Sequence, residues 1–176
     1  CEHEKCIRDI AVLELLFATG MRVSELCSLK TEDVNLSDHY IIINGKGSKE
    51  RVVHIGNKSV ITALRMYKSA FCGKIPESGC FFINRLNNRL SEQSVRTMIV
   101  KYTEKADISR HITPHMFRHS FATLLLEEDV DIRYIQQVLG HSSIVTTQIY
   151  THVTSKKQKH ILTEKHPRNR IVICED

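Results

Sequence analysis

The sequence predicts a mainly α-helical domain with one small antiparallel β-sheet, an α+β arrangement. Three observations carry this reading. Apolar residues recur at helical spacing along most of the chain. Two β-branched runs, Tyr40-Ile41-Ile42-Ile43 and Arg51-Val52-Val53-His54-Ile55, flank an Asn44-Gly45 pair, the mark of a hairpin. The 176 residues contain no internal repeat and no low-complexity linker, and this length suits one domain that buries its own core.

In chain order, Ile7 to Thr19 reads as a helix with Ile10, Leu13, Leu16 and Phe17 at helical spacing. Gly20 interrupts it, and Val23, Leu26 and Leu29 continue a shorter helical turn. The hairpin follows, with Asn44-Gly45-Lys46-Gly47-Ser48-Lys49 between its strands, longer than a minimal two-residue turn. Ser59 to Phe71 predicts a helix that buries Val60, Leu64, Tyr67 and Phe71. Gly73 to Asn88 is rich in loop residues around a short Cys80-Phe81-Phe82-Ile83 run. Ser91 has the character of an N-cap, with Val95, Met98, Ile99 and Tyr102 behind it. Thr113-Pro114 opens another helix, whose Phe117, Phe121, Leu124 and Leu125 are expected on its buried side. Asp131 caps a helix through Leu139, and Gly140 ends it as a left-handed glycine. A short helical stretch, Ser143 to Thr151, carries Tyr150; a polar tail with Lys156, Lys157 and Lys159 follows, then a break at Pro167 and a small Arg170-Ile171-Val172-Ile173 run.

Composition narrows the function classes. The chain is 41% hydrophobic and 26% charged, as globular domains are. No apolar run approaches the ~18 residues of a membrane span, so no membrane partner is expected. The opening Cys1-Glu2-His3-Glu4-Lys5 is too polar for a signal peptide, and a start at Cys1 suggests a piece of a longer protein. Six cysteines form no CxxC pair, which points to reduced thiols and a cytoplasmic setting. A net charge of +5 and a pI near 8.9 suit a polyanionic partner without requiring one.

A small set of side chains could carry chemistry. Arg22, at a helix start after Gly20, is placed to reach an anion, although it can equally pair with Glu25 at i+3. His115 and Arg118 share a helix face, and with Phe117 and Phe121 buried they are expected together at its edge. An arginine fork with an imidazole suits a phosphate, while a solvated polar stripe is the plainer alternative. His115 and His119, at i and i+4, have the spacing of zinc ligands; but Met116 stands where a metalloprotease carries glutamate, and no third ligand is evident nearby. No metal and no cofactor is therefore expected. Lys46 lies between two glycines on the hairpin tip, with Lys49 a rival for the same role. His141 follows Gly140 at a helix end, and Tyr150 comes nine residues later.

Taken together these residues are more specific than any one of them. The runs Ala18-Thr19-Gly20-Met21-Arg22-Val23-Ser24-Glu25-Leu26, Gly45-Lys46-Gly47-Ser48-Lys49-Glu50-Arg51, Thr113-Pro114-His115-Met116-Phe117-Arg118-His119-Ser120-Phe121-Ala122-Thr123 and Leu139-Gly140-His141-Ser142-Ser143-Ile144-Val145-Thr146-Thr147-Gln148-Ile149-Tyr150 closely resemble the tyrosine recombinase, or phage integrase, family. They stand in the family's order and at its usual separations, and the resemblance covers Ile7 to about Val153.

The resemblance implies a catalytic domain over residues 1–153 that cleaves and rejoins DNA through a 3′-phosphotyrosine, without metal or ATP. By similarity Arg22 and Arg118 clamp the scissile phosphate and Tyr150 is the nucleophile. Lys46 protonates the 5′-oxygen, and His115 and His141 assist proton transfer. Glu25 matches a position that orients its surroundings. Lys49, Arg51, Arg89 and Arg96, which flank the hairpin and the Ser91 helix, are candidates for contact with the DNA backbone. The resemblance further implies an N-terminal core-binding domain that this chain lacks, and a tail, 154–176, of the kind that docks on a neighbouring protomer. Double-stranded DNA, a tetramer on synapsed DNA and accessory DNA-bending proteins are the implied partners. Integration or excision of a mobile element is the leading role, with resolution of chromosome dimers a variant of the same chemistry that the sequence separates poorly from it. The alternative, a non-catalytic DNA-binding regulator of the same fold, would predict loss of Arg22, Arg118 or Tyr150, and all three are present.

Overall fold

In a computed structural model the described residues are 2–45, 50–75, 79–128, 130–140 and 162–170. They form six α-helices: α1 (Glu2–Thr19), α2 (Val23–Ser28), α3 (Lys58–Ala70), α4 (Glu92–Lys105), α5 (Pro114–Glu127) and α6 (Ile132–Leu139). Three short strands, β1 (Val34–Asn35), β2 (Tyr40–Asn44) and β3 (Glu50–His54), make one antiparallel sheet in the order β1-β2-β3. Helix α1 is central. It packs on α3 along one flank and on α5 along another.

This position changes which residues of α1 are inside. The buried set includes Ala11, Val12, Leu15, Leu16, Ala18 and Thr19, whereas Ile10 is exposed and Leu13 only half-buried. A helix gripped on two flanks buries a broad face, so its stripe is wider and rotated relative to the one the spacing suggested. Thr19 is buried in the last turn because its hydroxyl donates to the Leu15 carbonyl at 2.8 Å.

The helix starts at Ser91, Pro114 and Asp131 are as the sequence predicts, and Asn57 adds a cap before α3 that was not expected. Asn57 accepts from Ser59 N–H, Ser91 from Ser94 N–H and Asp131 from Arg133 N–H, while Pro114 takes the first position of α5. Gly140 ends α6 at φ +67°. The hairpin pairs Ile43 with Arg51 and Ile41 with Val53, which puts these four residues on one face of the sheet, and Ile41, Ile43 and Val53 are buried. Strand β1 is an addition that its two residues gave no pattern to announce.

Behind α3 the Phe81-Phe82-Ile83 run is fully buried, held by one phenol. Tyr67 donates to the Phe81 carbonyl at 2.9 Å and accepts from Ile83 N–H at 3.0 Å. The rest of the run's backbone is met by Leu29, whose carbonyl accepts from Phe81 N–H at 2.8 Å, and by Leu90, whose N–H donates to the Phe82 carbonyl at 3.0 Å.

The tail expected at 154–176 is described over 162–170, where it packs on α1 and α5 of its own chain. Leu162 enters the core, and Arg168 makes a fork to Glu14 of α1, with Nε–Oε2 at 2.9 Å and Nη2–Oε1 at 2.8 Å. His166 is buried, its Nε2 at 2.8 Å from the Ala18 carbonyl and its Nδ1 accepting from Arg168 N–H at 2.9 Å. Gly56 leaves room for this segment, since a Cβ there would stand 2.5 Å from the Thr163 Cα.

Candidate active site

Where α1 ends, Gly20 turns the chain at φ +60° and delivers Arg22 to the start of α2. Glu25, the third residue of that helix, reaches back. Its Oε2 accepts from Arg22 N–H at 2.8 Å, and its Oε1 takes Arg22 Nη1 at 2.9 Å. Both ends of Arg22 are thus fixed by one carboxylate, yet its side chain remains 45% exposed and open to an external anion.

Arg118 sits on the opposite wall and is deeper than its neighbours suggested. It is only 5% exposed, in line with Phe121 and Leu125 on the buried stripe of α5, while Phe117 is half-buried and His115 exposed. The expectation that His115 and Arg118 lie together at the helix edge is therefore corrected for Arg118. A guanidinium can be buried there because two carbonyls receive it: Nη1 donates to Gly20 O at 2.8 Å and Nη2 to Leu139 O at 2.7 Å. Burial, followed by the nearby charges of Arg22 and Arg51, lowers its pKa to about 10, with Glu25 opposing. It stays cationic at neutral pH.

Arg51 closes the group. From β3 its Nη1 and Nη2 donate to the two oxygens of Glu25 at 3.0 and 2.7 Å, and its Nε donates to Val138 O at 2.8 Å. Its side chain is 12% exposed. Expected as a backbone-phosphate contact, Arg51 instead spends its guanidinium inside the fold. Burial pushes the Glu25 carboxyl up, but the bonds from Arg51 and from the Arg22 backbone and side chain outweigh it and hold the group below the ordinary glutamate value. Two guanidiniums, Arg22 and Arg51, bond the Glu25 carboxylate while Arg118 senses its charge from nearby, and that excess of positive charge is what an anion would neutralise.

Two glycines make the convergence possible. A Cβ on Gly20 would meet Phe121 Cδ1 at 2.7 Å and Leu139 Cδ2 at 2.8 Å, and one on Gly140 would meet Arg51 Nη1 at 2.9 Å. The remaining expected residues fall in two groups. Arg89 and Arg96 border a shallow hollow with Leu90, Ser91 and Glu92 at the start of α4, where Arg96 pairs with Glu92 at 2.8 Å. This hollow abuts α2: the buried Cys27 thiol, raised to about 11 mainly by desolvation, also senses Arg89, Glu92 and Arg96. Lys46, Lys49, His141 and Tyr150 lie outside the described residues. Among the described residues no three His, Cys, Asp or Glu side chains are grouped to hold a metal ion, and His115 and His119 are both exposed on α5.

The description "Phage integrase family" matches residues 1–157. The chain belongs to the phage integrase family. Among its relatives, a tyrosine recombinase of Agathobacter rectalis is 59% identical over 167 residues, which is 95% of this chain and 55% of that protein. The tyrosine recombinase XerD of Staphylococcus saprophyticus is 44% identical over 164 residues, 92% of this chain and 55% of its own. This integrase-family chain therefore spans about half the length of the curated relatives it matches. Of solved structures, XerA recombinase shares the fold with a TM-score of 0.74 and 33% identity, covering 95% of this chain and 60% of that one. XerH site-specific recombinase, captured with its difH substrate after cleavage, gives a TM-score of 0.71 at 28% identity over 92% of this chain and 46% of its own.

The internal contacts of Arg51 were not expected from the sequence, and a signal for them exists. Period-two alternation puts 51 on the same strand face as Val53 and Ile55, both buried. A charged residue on the apolar face of a strand needs an internal partner. The docking of His166 and Arg168 had no comparable signal, because a polar tail gives no period.

Proposed function

We propose that the chain is the catalytic domain of a site-specific DNA recombinase, acting in the integration or excision of a mobile element. Supporting this reading above all is the convergence of Arg22 and Arg118, from α2 and α5, on a site where Arg22 and Arg51 share the Glu25 carboxylate and all three guanidinium charges influence one another. Phosphoryl transfer builds negative charge on the non-bridging oxygens, and fixed cations stabilise it without reorganising. Arg22, half-exposed, and Arg118, oriented by two carbonyls, are suited to that work.

In the proposed reaction the Tyr150 phenolate oxygen attacks the scissile phosphorus. The bond from phosphorus to the 5′-oxygen breaks, and a 3′-phosphotyrosine forms. A phenol of reference pKa ~10 needs help to ionise, which nearby positive charge and His115 or His141 supply. The departing 5′-oxygen takes a proton from Lys46. The phosphotyrosine conserves the energy of the ester, so attack by another strand's 5′-hydroxyl reverses the chemistry without ATP. Lys49, Arg89 and Arg96 would add contacts to the DNA backbone, with Arg89 and Arg96 carried by the hollow beside α2. In the longer protein a core-binding domain would precede residues 1–153, and four copies would act on two synapsed duplexes.

The test uses the full-length protein and a nicked suicide duplex in EDTA, with covalent adduct read on a denaturing gel. Wild type is expected to form the adduct and Tyr150→Phe to form none. An adduct that persists in Tyr150→Phe would remove Tyr150 from the mechanism.

A further inference from the structure

Resting on the recombinase reading, we infer that Arg51 is a positioning residue that locks the hairpin to the two phosphate-binding arginines, and not a DNA contact. The geometry is specific. The three hydrogen bonds of Arg51 join three elements: β3, on which it stands; α2, through both oxygens of Glu25; and the end of α6, through Val138 O. Each of those attachments leads directly to a proposed reacting group. The Glu25 oxygens that Arg51 holds are the ones that fix the backbone and side chain of Arg22. Leu139, next to Val138, receives Arg118 Nη2, and His141 follows two residues later. On the other side, Lys46 comes five residues before Arg51 in the sequence.

The fold has been shaped around this arginine. Gly140 adopts φ +67° with the Arg51 guanidinium against it, and any Cβ there would come 2.9 Å from Nη1 and 3.2 Å from Cζ. Enclosure also separates this role from phosphate binding. With Nη1 and Nη2 on the two Glu25 oxygens and Nε on Val138 O, Arg51 has its charge met by a carboxylate within the fold and is not placed to follow a DNA backbone. What it can do is keep Glu25 ionised and correctly turned, so that Arg22 and the α6 terminus stay at fixed separations from the hairpin. Misplacement by about 1 Å in such a frame costs about 100-fold in rate.

The experiment compares wild type, Arg51→Met, Glu25→Gln and the double variant in the full-length protein. Folding is checked by circular dichroism. DNA affinity is measured across salt concentrations, and adduct formation is measured under single-turnover conditions at saturating protein, as a function of pH. Arg51→Met is expected to slow saturated cleavage about 100-fold while the dissociation constant and its salt slope stay within about twofold of wild type. Its acid limb should move to higher pH, because Glu25 loses the partner that keeps it ionised. The double variant should be no slower than the worse single one, as for residues acting through one another. If Arg51→Met does not fold, Arg51→Lys, which keeps the charge on one nitrogen that cannot span both Glu25 oxygens and Val138 O as the fork does, is read by the same criteria. Weakened binding with a salt slope smaller by about one and unchanged saturated cleavage would make Arg51 a phosphate contact and overturn the inference. Wild-type cleavage by a folded variant would overturn it too. Both outcomes leave the recombinase reading standing, whereas no adduct from wild type would remove that reading and this inference with it.

Discussion

Gly20→Ala tests the site through its backbone. Gly20 holds φ +60°, a region in which a side chain costs about 1–2 kcal/mol. The added methyl would also lie 2.7 Å from Phe121 Cδ1 and 2.8 Å from Leu139 Cδ2, both on fully or nearly buried side chains. Overpacking of this kind costs a further ~1–3 kcal/mol. The expected loss is therefore about 2–5 kcal/mol, a large share of the ~5–15 kcal/mol that holds a domain together. At ~2–4 °C per kcal/mol for a chain of this size, the melting midpoint should fall by about 5–20 °C. The functional loss should exceed what instability explains, because Gly20 O receives Arg118 Nη1 and Leu139 O receives Nη2. Pushing Leu139 and Phe121 away from Gly20 displaces both carbonyls that aim the guanidinium. Urea unfolding with fluorescence or circular dichroism gives the stability term, and single-turnover adduct formation well below the midpoint gives the functional one. A variant destabilised by less than about 1 kcal/mol, or one that cleaves normally when folded, would refute this account of the turn.

Two further outcomes follow from buried polar groups. Tyr67→Phe removes a hydroxyl that serves both Phe81 O and Ile83 N–H and should cost about 1–3 kcal/mol in urea unfolding, with cleavage by the folded protein unchanged; a neutral substitution would mean that the 81–83 run finds other partners. His166 is held neutral chiefly by burial, which depresses its pKa, with the Ala18 carbonyl and Glu14 opposing and Arg168 adding to the depression. Because the unfolded chain binds that proton first, the stability it contributes is complete above about pH 6.5 and is lost as pH falls from there. Melting midpoints from about pH 8 down to about pH 5 should drop more steeply in wild type than in His166→Gln, whose amide can both donate to Ala18 O and accept from Arg168 N–H; parallel curves would show that His166 does not titrate against the fold.

Much of the architecture was legible because local rules fix it. Capping side chains at Ser91 and Asp131 satisfy helix donors within two or three residues, so their role is visible without the rest of the molecule. The hairpin was legible from two β-branched runs flanking Asn44-Gly45, and the left-handed Gly140 from its place after Leu139. The phase of α1 and α5 was not. Which stripe a helix buries depends on how many neighbours it has and on what its polar residues meet, and Arg118 is inside only because Gly20 and Leu139, far away in sequence, offer carbonyls.

By itself, then, the sequence determined the hairpin strands, the helices within the described residues and the set of residue types a phosphoryl-transfer site requires. Only the tertiary structure decided that Arg51 faces inward to Glu25 and Val138 while Arg22 stays half-open, and that 162–170 folds back onto α1. The physical reason is one of range. Backbone propensity and capping act over a few residues. A buried charge is settled by whichever acceptors the packed chain brings within about 3 Å of it, and no local pattern specifies those.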